Sequence, residues 1–298
     1  MLFDEDLKAT LDAAVEVDGG ERYRQLLQAN LPIFTDIYRT RRGDKGMPRV
    51  NISSIGDHCA RRIWYRYRAV KDEKFSGRLL RLFNRGHMEE ARIVSMLEAA
   101  GISVTHNDIN NLKFRADLIS GVADGIAENV PGYSGKVLLE FKTMSKASFE
   151  KWKKEGTLLY SKDYFVQVQF YLAAFRLNKC LFIAVCKDND DFEIEVIERQ
   201  DEIVEQYYER AERIAGVKEP PPRINDSPLW WQCKMCSFHG ICHGGQPVEK
   251  NCRTCEHCHN EIGWHCHVSA YEPVELSEAE QREGCNLHSH IPALNITE

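Results

Sequence analysis

Cysteines are concentrated in one part of this 298-residue chain, and they restrict what that part can fold into. Eight of the eleven lie between Cys233 and Cys285. A segment of roughly 50 residues buries too little apolar area to fold by packing alone, so disulfides or a bound metal must add stability. Disulfides suit small secreted chains, but the acidic start, MLFDEDLKATLDAAVEVDGG, lacks the order of a signal peptide. The cysteines therefore favour metal ligation in a soluble, cytoplasmic protein.

Composition and charge are those of a soluble globular protein, but the charge is unevenly distributed. Hydrophobic residues make up 43% of the chain and charged residues 28%, and no run approaches the ~18–20 apolar residues of a membrane span. The formal net charge is −6, yet one segment is strongly basic, with Arg61, Arg62, Arg66, Arg68, Lys71, Lys74, Arg78, Arg81, Arg85 and Arg92. We therefore expect no membrane partner, and the basic segment could bind a polyanion.

The hydrophobic pattern predicts a mixed α/β fold. Helical spacing runs through much of residues 1–50, and further helices are predicted over 55–67, 78–100, 163–177 and 200–217. Between them lie β-rich runs: ISVTH, KFRADLISGVADGIAEN, KVLLEFKTM, CLFIAVCKD and FEIEVIE. This order is typical of a mixed sheet flanked by helices. Three regions are predicted: an N-terminal helical segment (1–50), a core (51–244) and a cysteine- and histidine-rich tail (245–298).

Three ionisable residues in the predicted meander indicate chemistry. Glu140 and Lys142 lie two positions apart in an apolar strand, so both project from one face of the sheet. A simple Glu–Lys ion pair or a solvated edge strand would explain them if they stood alone. Asp124 adds a second carboxylate across a probable hairpin. Two carboxylates and an ammonium are what a hard divalent cation and an activated water require.

With these motifs the chain resembles the PD-(D/E)xK nuclease superfamily, and in particular its RecB-like branch. Two more segments match in order: Arg85-Gly-His-Met-Glu-Glu90 resembles the helical first motif, and Gln167-Val-Gln-Phe-Tyr171 resembles the Q-x-x-x-Y motif. His87, Gln167 and Tyr171 taken singly would be ordinary helix residues. Asp124 follows alanine rather than proline, as is common in this branch. The resemblance implies a restriction-endonuclease-like fold.

The resemblance also implies roles for these residues. A Mg²⁺ or Mn²⁺ ion would be bound by His87, Asp124, Glu140 and the backbone carbonyl of Phe141. Lys142 would position the attacking water, and Glu90 would assist a second ion. Gln167 and Tyr171 would orient Lys142 and the DNA strand. The expected activity is that of a metal-dependent deoxyribonuclease that processes DNA ends exonucleolytically for recombination, repair or phage DNA metabolism.

Four cysteines complete the resemblance to the iron–sulfur exonucleases of this branch, such as CRISPR-associated spacer-acquisition nucleases and the AddB subunit. The spacing C-x2-C-x5-C places three of them together, and a lone upstream cysteine supplies the fourth. The resemblance implies that the four hold a [4Fe-4S] cluster as a staple of the nuclease core: Cys59, Cys233, Cys236 and Cys242. A four-cysteine zinc site is the alternative, since thiolates bind both metals.

The tail after Gly245 predicts a separate zinc site. Its expected ligands are Cys252, Cys255, Cys266 and Cys285, with His288 as a substitute. The tail resembles a small cysteine-rich extension seen on some phage nucleases. A flexible tail without metal is the alternative.

The basic segment supplies the expected DNA contacts. Phosphates would be met by Arg61, Arg62, Arg78, Arg81 and Arg85, and unpaired bases would stack on Trp64, Tyr65 and Tyr67. DNA ends or single strands are thus the expected partner, and a recombination protein stays open as a second one. A non-catalytic adaptor on a nuclease fold is the alternative, and it would carry a damaged active site. A site-specific endonuclease is disfavoured because such enzymes seldom carry the cluster.

Overall fold

The computed structural model describes residues 2–43, 47–72, 74–106, 112–261, 263–268 and 272–294, without the side chains of 35–43. The described α-helices are α1 (Glu5–Glu16), α2 (Glu21–Gly43), α3 (Ala60–Tyr67), α4 (Gly77–Ala99), α5 (Lys146–Tyr160), α6 (Lys162–Ala174), α7 (Asp201–Gly216), α8 (Trp231–Lys234), α9 (His239–Gly244) and α10 (Glu278–Glu283). The described strands are β1 (Val50–Asn51), β2 (Ser103–Thr105), β3 (Lys113–Arg115), β4 (Ile119–Val122), β5 (Gly125–Glu128), β6 (Val137–Met144), β7 (Lys179–Cys186), β8 (Phe192–Glu198), β9 (Cys258–Glu261), β10 (Gly263–Cys266) and β11 (Val274–Glu275). Short 3₁₀ helices cover Ile52–Ser54, Cys252–Thr254 and Pro292–Leu294.

The chain divides into two compact units. The first, here called the sheet unit, comprises residues 1–44, 75–114 and 121–204. The second, here called the thiol unit, comprises residues 45–74, 115–120 and 205–298. This division does not follow the three predicted regions, because residues 45–74 group with the C-terminal cysteines rather than with the central sheet.

The sheet unit is built on a five-stranded mixed sheet with the strand order β2-β5-β6-β7-β8. Neighbouring strands are antiparallel except β6 and β7, which run parallel over seven residue pairs from Leu138–Cys180 to Met144–Cys186. A parallel pair needs a crossover connection, and α5 and α6 supply it between β6 and β7. The sheet unit confirms the predicted mixed α/β fold.

Strand β6 alternates between two environments, which explains how helices cover both faces of the sheet. Val137, Leu139 and Phe141 join a buried apolar cluster that includes residues of α1 and α4. Leu138 and Glu140 belong to the opposite face, where Gln167 of α6 bonds Glu140. Helix α4 begins at Ser76, whose side chain accepts a hydrogen bond from the Leu79 amide. This cap fixes the helix that carries His87 and Glu90.

Helix α5 was not predicted from the sequence. The Ser145 side chain caps it by accepting from the Ser148 amide, and Trp152 is fully buried. Gly156 has φ 73° and breaks the helical conformation near the end, a backbone state that favours glycine. The helix predicted over 55–67 is shorter in the structure, since a 3₁₀ turn covers Ile52–Ser54 and the helix itself begins at Ala60.

The thiol unit contains a small antiparallel sheet with the order β11-β10-β9. Two buried arginines, Arg68 and Arg253, lie against the rings of Trp64, Tyr67 and Trp264. The Arg253 guanidinium donates to the carbonyls of Pro48 and Tyr67 and to Gln281. A small cysteine-rich C-terminal module was predicted, and the structure shows a cysteine-rich C-terminal region that contains strands. Among the described helices, none has the length and apolar character needed to cross a membrane.

Candidate active site

A cavity of about 520 Å³ in the sheet unit brings the predicted helical motif and the catalytic strand together. Its lining includes His87, Glu89 and Glu90 from α4 and Phe141 and Lys142 from β6. The remainder is largely apolar or basic and comes from the start of α4 and the residues before it, with Phe75, Leu80, Leu82, Phe83 and Arg85. Residues about 50 positions apart in sequence therefore share one concave site.

The strand pattern explains why two charges lie inside the sheet. β6 carries the sequence VLLEFKTM, so Glu140 and Lys142 share a face while Phe141 between them joins the apolar cluster. The Glu140 side chain is 1% exposed, and Lys142 contacts its Oε1 atom. Burial of a carboxylate is costly without partners, and this ammonium is its closest compensation.

Asp124 and Gln167 complete the hydrogen bonding around this pair. Asp124 lies between β4 and β5, and its Oδ2 accepts a hydrogen bond of 2.8 Å from the Phe141 amide. Gln167 Nε2 donates to Glu140 Oε1 at 2.7 Å, the same oxygen that Lys142 contacts. Glu140 Oε2 is buried and has no hydrogen-bond partner among the described residues. One oxygen of the central carboxylate is therefore available to a ligand.

Tyr171, predicted to help orient Lys142 and the DNA strand, is buried on α6. Its side chain is 2% exposed, and its ring packs 6.4 Å from that of Phe175. Tyr164, which the sequence analysis did not select, faces the site: Lys142 Nζ lies 4.9 Å from its ring centroid. Its position one turn before Gln167 on α6 is the signal that could have identified it.

Burial is the largest cause of the pKa shifts of Asp124 and Glu140, and neighbouring charges modify it. Burial, followed by the charges of Glu140 and Glu90, raises the pKa of Asp124 well above its usual value. Burial also raises the pKa of Glu140, against the opposing charge of Lys142. Burial lowers the pKa of Lys142, but Glu140 and Asp124 outweigh it and the net shift is upward. Lys142 therefore stays an ammonium at neutral pH.

The donor set fits a hard divalent cation. Three carboxylates influence one another here, and His87 Nδ1 lies 3.2 Å from Glu90 Oε1 on the adjoining helix. A cation would relieve the carboxylate repulsion and would use the unpaired oxygen of Glu140. Carboxylate oxygens with a carbonyl and water are what Mg²⁺ and Mn²⁺ prefer. His87, Asp124, Glu140 and the Phe141 carbonyl thus remain the predicted ligands.

The thiols predicted to hold a cluster line a second cavity, in the thiol unit: Cys59, Cys233, Cys236 and Cys242. Cys59 precedes α3, and its amide donates to Asp57 Oδ1 at 2.9 Å. Burial raises the pKa of Cys233, and the charges of Cys242 and Cys59 raise it further. Four cysteines that line one cavity match the ligand number of either an iron–sulfur cluster or a zinc ion.

Five rather than four thiols meet in the tail. A small cavity is lined by the predicted set and one more: Cys252, Cys255, Cys258, Cys266 and Cys285. Cys258 is buried and bonds the Cys252 thiol, which lowers the pKa of Cys252 to about 7. Cys285 is exposed, and His288 Nε2 lies 3.2 Å from Thr254 Oγ1. The spacing C-x2-C-x2-C in 252–258 is the signal that could have added Cys258.

The predicted DNA-binding residues separate into two groups. Arg61 donates to the carbonyls of Pro220 and Pro221, and Arg62 pairs with Asp57. Trp64 is fully buried, and Tyr65 and Tyr67 are each 3% exposed, so the prediction that they stack on bases was wrong. Packing within the thiol unit uses these side chains internally.

The basic residues of α4 have a different environment. Arg78, Arg81 and Arg85 are exposed. Exposed apolar side chains lie beside them, with Phe75 45% and Phe83 38% accessible and their rings in edge-to-face contact at 5.2 Å. The sequence analysis missed this pair. Its signal was an apolar run, LLRLF, within an otherwise basic helix start.

Comparison with solved structures found resemblances at low identity. An alkaline exonuclease from Laribacter hongkongensis is 14% identical, with a TM-score of 0.40 over 56% of this chain and 86% of that chain. A phage-related exonuclease from Haemophilus somnus 129PT is 14% identical, with a TM-score of 0.42 over 56% and 92%. A protein named SSO0001 is 16% identical, with a TM-score of 0.43 over 72% and 96%. No protein-family model and no curated protein sequence matches the chain.

Proposed function

We propose that the chain is a divalent-metal-dependent deoxyribonuclease that degrades DNA from its ends. The observation that carries the proposal is the buried Glu140–Lys142 pair with Asp124 beside it, because Glu140 keeps one unpaired oxygen. A purely structural ion pair would satisfy both carboxylate oxygens. Here Lys142, His87, Glu89 and Glu90 line a cavity large enough for a nucleotide, and the buried Glu140 contacts Lys142.

His87, Asp124, Glu140 and the Phe141 carbonyl would hold Mg²⁺ or Mn²⁺, which when bound supplies charge stabilisation at the scissile phosphate and lowers the pKa of water. Lys142 retains its proton, so it acts as a donor that orients the attacking water or a phosphate oxygen and does not act as a general base. Gln167 holds Glu140 in place. Glu90 carries a further carboxylate toward the same site.

The DNA strand would approach along the start of α4. Arg78, Arg81 and Arg85 would meet phosphates, and the Phe75–Phe83 pair offers an apolar platform for an unpaired base. Base stacking on aromatic side chains suits any sequence because every base has a π-face. The enzyme would therefore act on ends or single strands without sequence preference.

The two thiol sets would hold structural metals. We assign a [4Fe-4S] cluster to Cys59, Cys233, Cys236 and Cys242, and one zinc to the tail. In the tail, the buried Cys258 replaces the exposed Cys285 of the predicted set, so the proposed ligands are Cys252, Cys255, Cys258 and Cys266. Iron, sulfide and zinc analysis of protein purified without oxygen tests both assignments, and a colourless protein with two zinc ions would replace the cluster by a second zinc site.

The activity is tested with end-labelled linear DNA and closed circular DNA in the presence of Mn²⁺. We expect mononucleotides from linear DNA and none from circles. Glu140→Gln and Lys142→Gln should each reduce cleavage by at least ~10²-fold, equivalent to a loss of several kcal/mol of transition-state stabilisation. Lys136→Gln is the matched control, since Lys136 lies at the surface beside Glu128.

The non-catalytic alternative gives a different set of results. It predicts DNA binding by the wild type with no cleavage under any divalent metal, and no effect of Glu140→Gln. Cutting of circular DNA would instead indicate an endonuclease. Both results contradict the proposal.

A further inference from the structure

The hairpin of β9 and β10 in the thiol unit has two chemically distinct faces. The segment CHNEIGWHCH alternates, and the register pairs Cys258 with Cys266 and Asn260 with Trp264. Between these pairs lie His259 opposite His265 and Glu261 opposite Gly263. Because side chains alternate along a strand, sulfur and Trp264 occupy one face and imidazoles occupy the other. This imidazole face takes no part in the proposed nuclease site or thiol sites.

The imidazole face continues beyond the last residue of β10. The His267 amide donates to the His257 carbonyl at 2.8 Å, so His267 lies diagonally across from His259 on the same face. The ring centroids of His259 and His267 are 4.6 Å apart. His267 Nε2 lies 3.2 Å from Glu261 Oε1. One donor atom from each of these three residues lies within 4.8 Å of the other two.

We propose that His259, Glu261 and His267 form a binding site for a divalent transition-metal ion, separate from the thiolate sites. Two imidazole nitrogens and a carboxylate oxygen suit Zn²⁺, Ni²⁺ or Co²⁺. The thiolates on the other face of the hairpin are softer ligands and favour softer metals. Three protein ligands leave a coordination position open for water or an anion. The proposal does not depend on the nuclease activity.

Backbone pairing holds the three donors in place before an ion arrives. β9 fixes His259 and Glu261 two residues apart on one strand, and His267 follows β10 diagonally across from His259, so little backbone ordering is needed on binding. Glu261 is 56% exposed and the His267 side chain 31%, which gives an ion access from solvent. Among the described residues His267 Nε2 makes no hydrogen bond, and its 3.2 Å contact with Glu261 Oε1 is an ion-pair contact only. Both atoms can therefore turn to a shared metal.

The first experiment measures Ni²⁺ binding by the full chain, purified with its thiol sites already loaded. Wild-type protein should bind one Ni²⁺ more than the double variant His259→Gln/His267→Gln, and Glu261→Gln should weaken that site at least about 10-fold. His265→Gln is the matched control because His265 lies on the same face but outside the three ligands, and it should bind like the wild type. Iron and zinc content should be unchanged in every variant.

The second experiment uses only wild-type protein, so it does not depend on how a variant folds. Histidines are modified with diethylpyrocarbonate with and without Ni²⁺, and the modified positions are found by mass spectrometry. Ni²⁺ should protect His259 and His267 and leave His265 unprotected. Equal Ni²⁺ binding by the wild type and the double variant overturns the proposal. So does equal protection of all the hairpin histidines, or an extra ion that is lost in Cys258→Ser but kept in the double variant.

Discussion

The two units differ in which reactive side chains they contain: carboxylates and a lysine in the sheet unit, cysteines and buried arginines in the thiol unit. The sheet unit has a continuous apolar cluster from α1, α4 and the central strands, and its buried carboxylates, Glu140 among them, bond side chains or backbone amides of that unit. Nine of the eleven cysteines lie in the thiol unit, namely Cys59, Cys233, Cys236, Cys242, Cys252, Cys255, Cys258, Cys266 and Cys285. That unit also buries two arginines against aromatic rings.

The difference indicates two relations between metal and fold. In the sheet unit, apolar packing stabilises the fold, and a cation would bind to a frame that already exists. In the thiol unit, the proposed metals would bind thiols that raise one another's pKa when the site is empty. Under these assignments, metal is a ligand of the folded sheet unit but part of the folding free energy of the thiol unit.

The largest expected effect comes from removing metal from the whole protein. Structural zinc sites contribute on the order of 10 kcal/mol to folding, so a strong chelator should unfold the thiol unit and leave the sheet unit folded. Native-state amide exchange should show loss of protection in β9 and β10 and retained protection in β6 and β7. Protected β9 and β10 amides in metal-free protein would contradict the comparison.

The second effect concerns a buried guanidinium in metal-loaded protein. Burial lowers the pKa of Arg253 to about 10, yet the group stays charged at neutral pH and bonds Pro48, Tyr67 and Gln281. Arg253→Met leaves those acceptors unsatisfied, so we expect a loss of about 3 kcal/mol in the stability of the thiol unit. Exchange of its slowest amides measures this loss.

The matched control is an arginine of the same unit with an exposed partner. Arg213 is 67% exposed and lies 3.6 Å from Glu209 on α7. Arg213→Met should change stability by less than about 1 kcal/mol, as exposed ion pairs generally do. Equal losses in the two variants would mean that the buried hydrogen bonds of Arg253 contribute nothing beyond surface charge.

The sequence predicts those features of the fold and the candidate site that depend on neighbouring residues, and it misses those that depend on contacts between distant segments. The two-residue period was enough to place Glu140 and Lys142 on one face, and the structure confirms the mixed sheet. Helix α5 was missed because its capping serine and the break at Gly156 resemble loop signals. The burial of Trp64 depends on contacts from distant segments, including its hydrogen bond to the Val217 carbonyl. The spacing C-x2-C-x2-C offers Cys258 as a candidate, but its burial and its pairing with Cys266 across the hairpin depend on the tertiary structure.

The third effect tests the sheet unit as a frame that exists before metal binds. Burial raises the pKa of Asp124 above its usual 3.8. The folded state thus binds this proton more tightly than the unfolded state, and stability should fall as pH rises from about 4 toward the raised pKa. Asp124→Asn removes that fall, so it should raise the melting temperature at neutral pH in metal-free buffer.

Mn²⁺ should reverse the order of the two melting temperatures, so that the wild type melts above Asp124→Asn. At ~100 times its dissociation constant, the ion should stabilise the wild-type sheet unit by about 2.7 kcal/mol and the Asp124→Asn variant by much less. Glu150→Gln, an exposed change on α5, should respond to pH and Mn²⁺ as the wild type does. Identical Mn²⁺ stabilisation of the wild type and Asp124→Asn would exclude Asp124 from the ligand set.

The smallest effect compares arginines of the two units. The comparison uses the Glu140→Gln variant, which we expect to bind DNA without cleaving it. Each lost phosphate contact should reduce the magnitude of the slope of log DNA affinity against log salt concentration by about one. Arg81 is exposed on α4, so Arg81→Ala should show that change. The Arg61 guanidinium donates to the carbonyls of Pro220 and Pro221. Arg61→Ala should therefore keep the wild-type slope and reduce the stability of the thiol unit instead. A reduced slope for Arg61→Ala would mean that the thiol unit also contacts phosphate. DNA binding would then not be confined to the sheet unit.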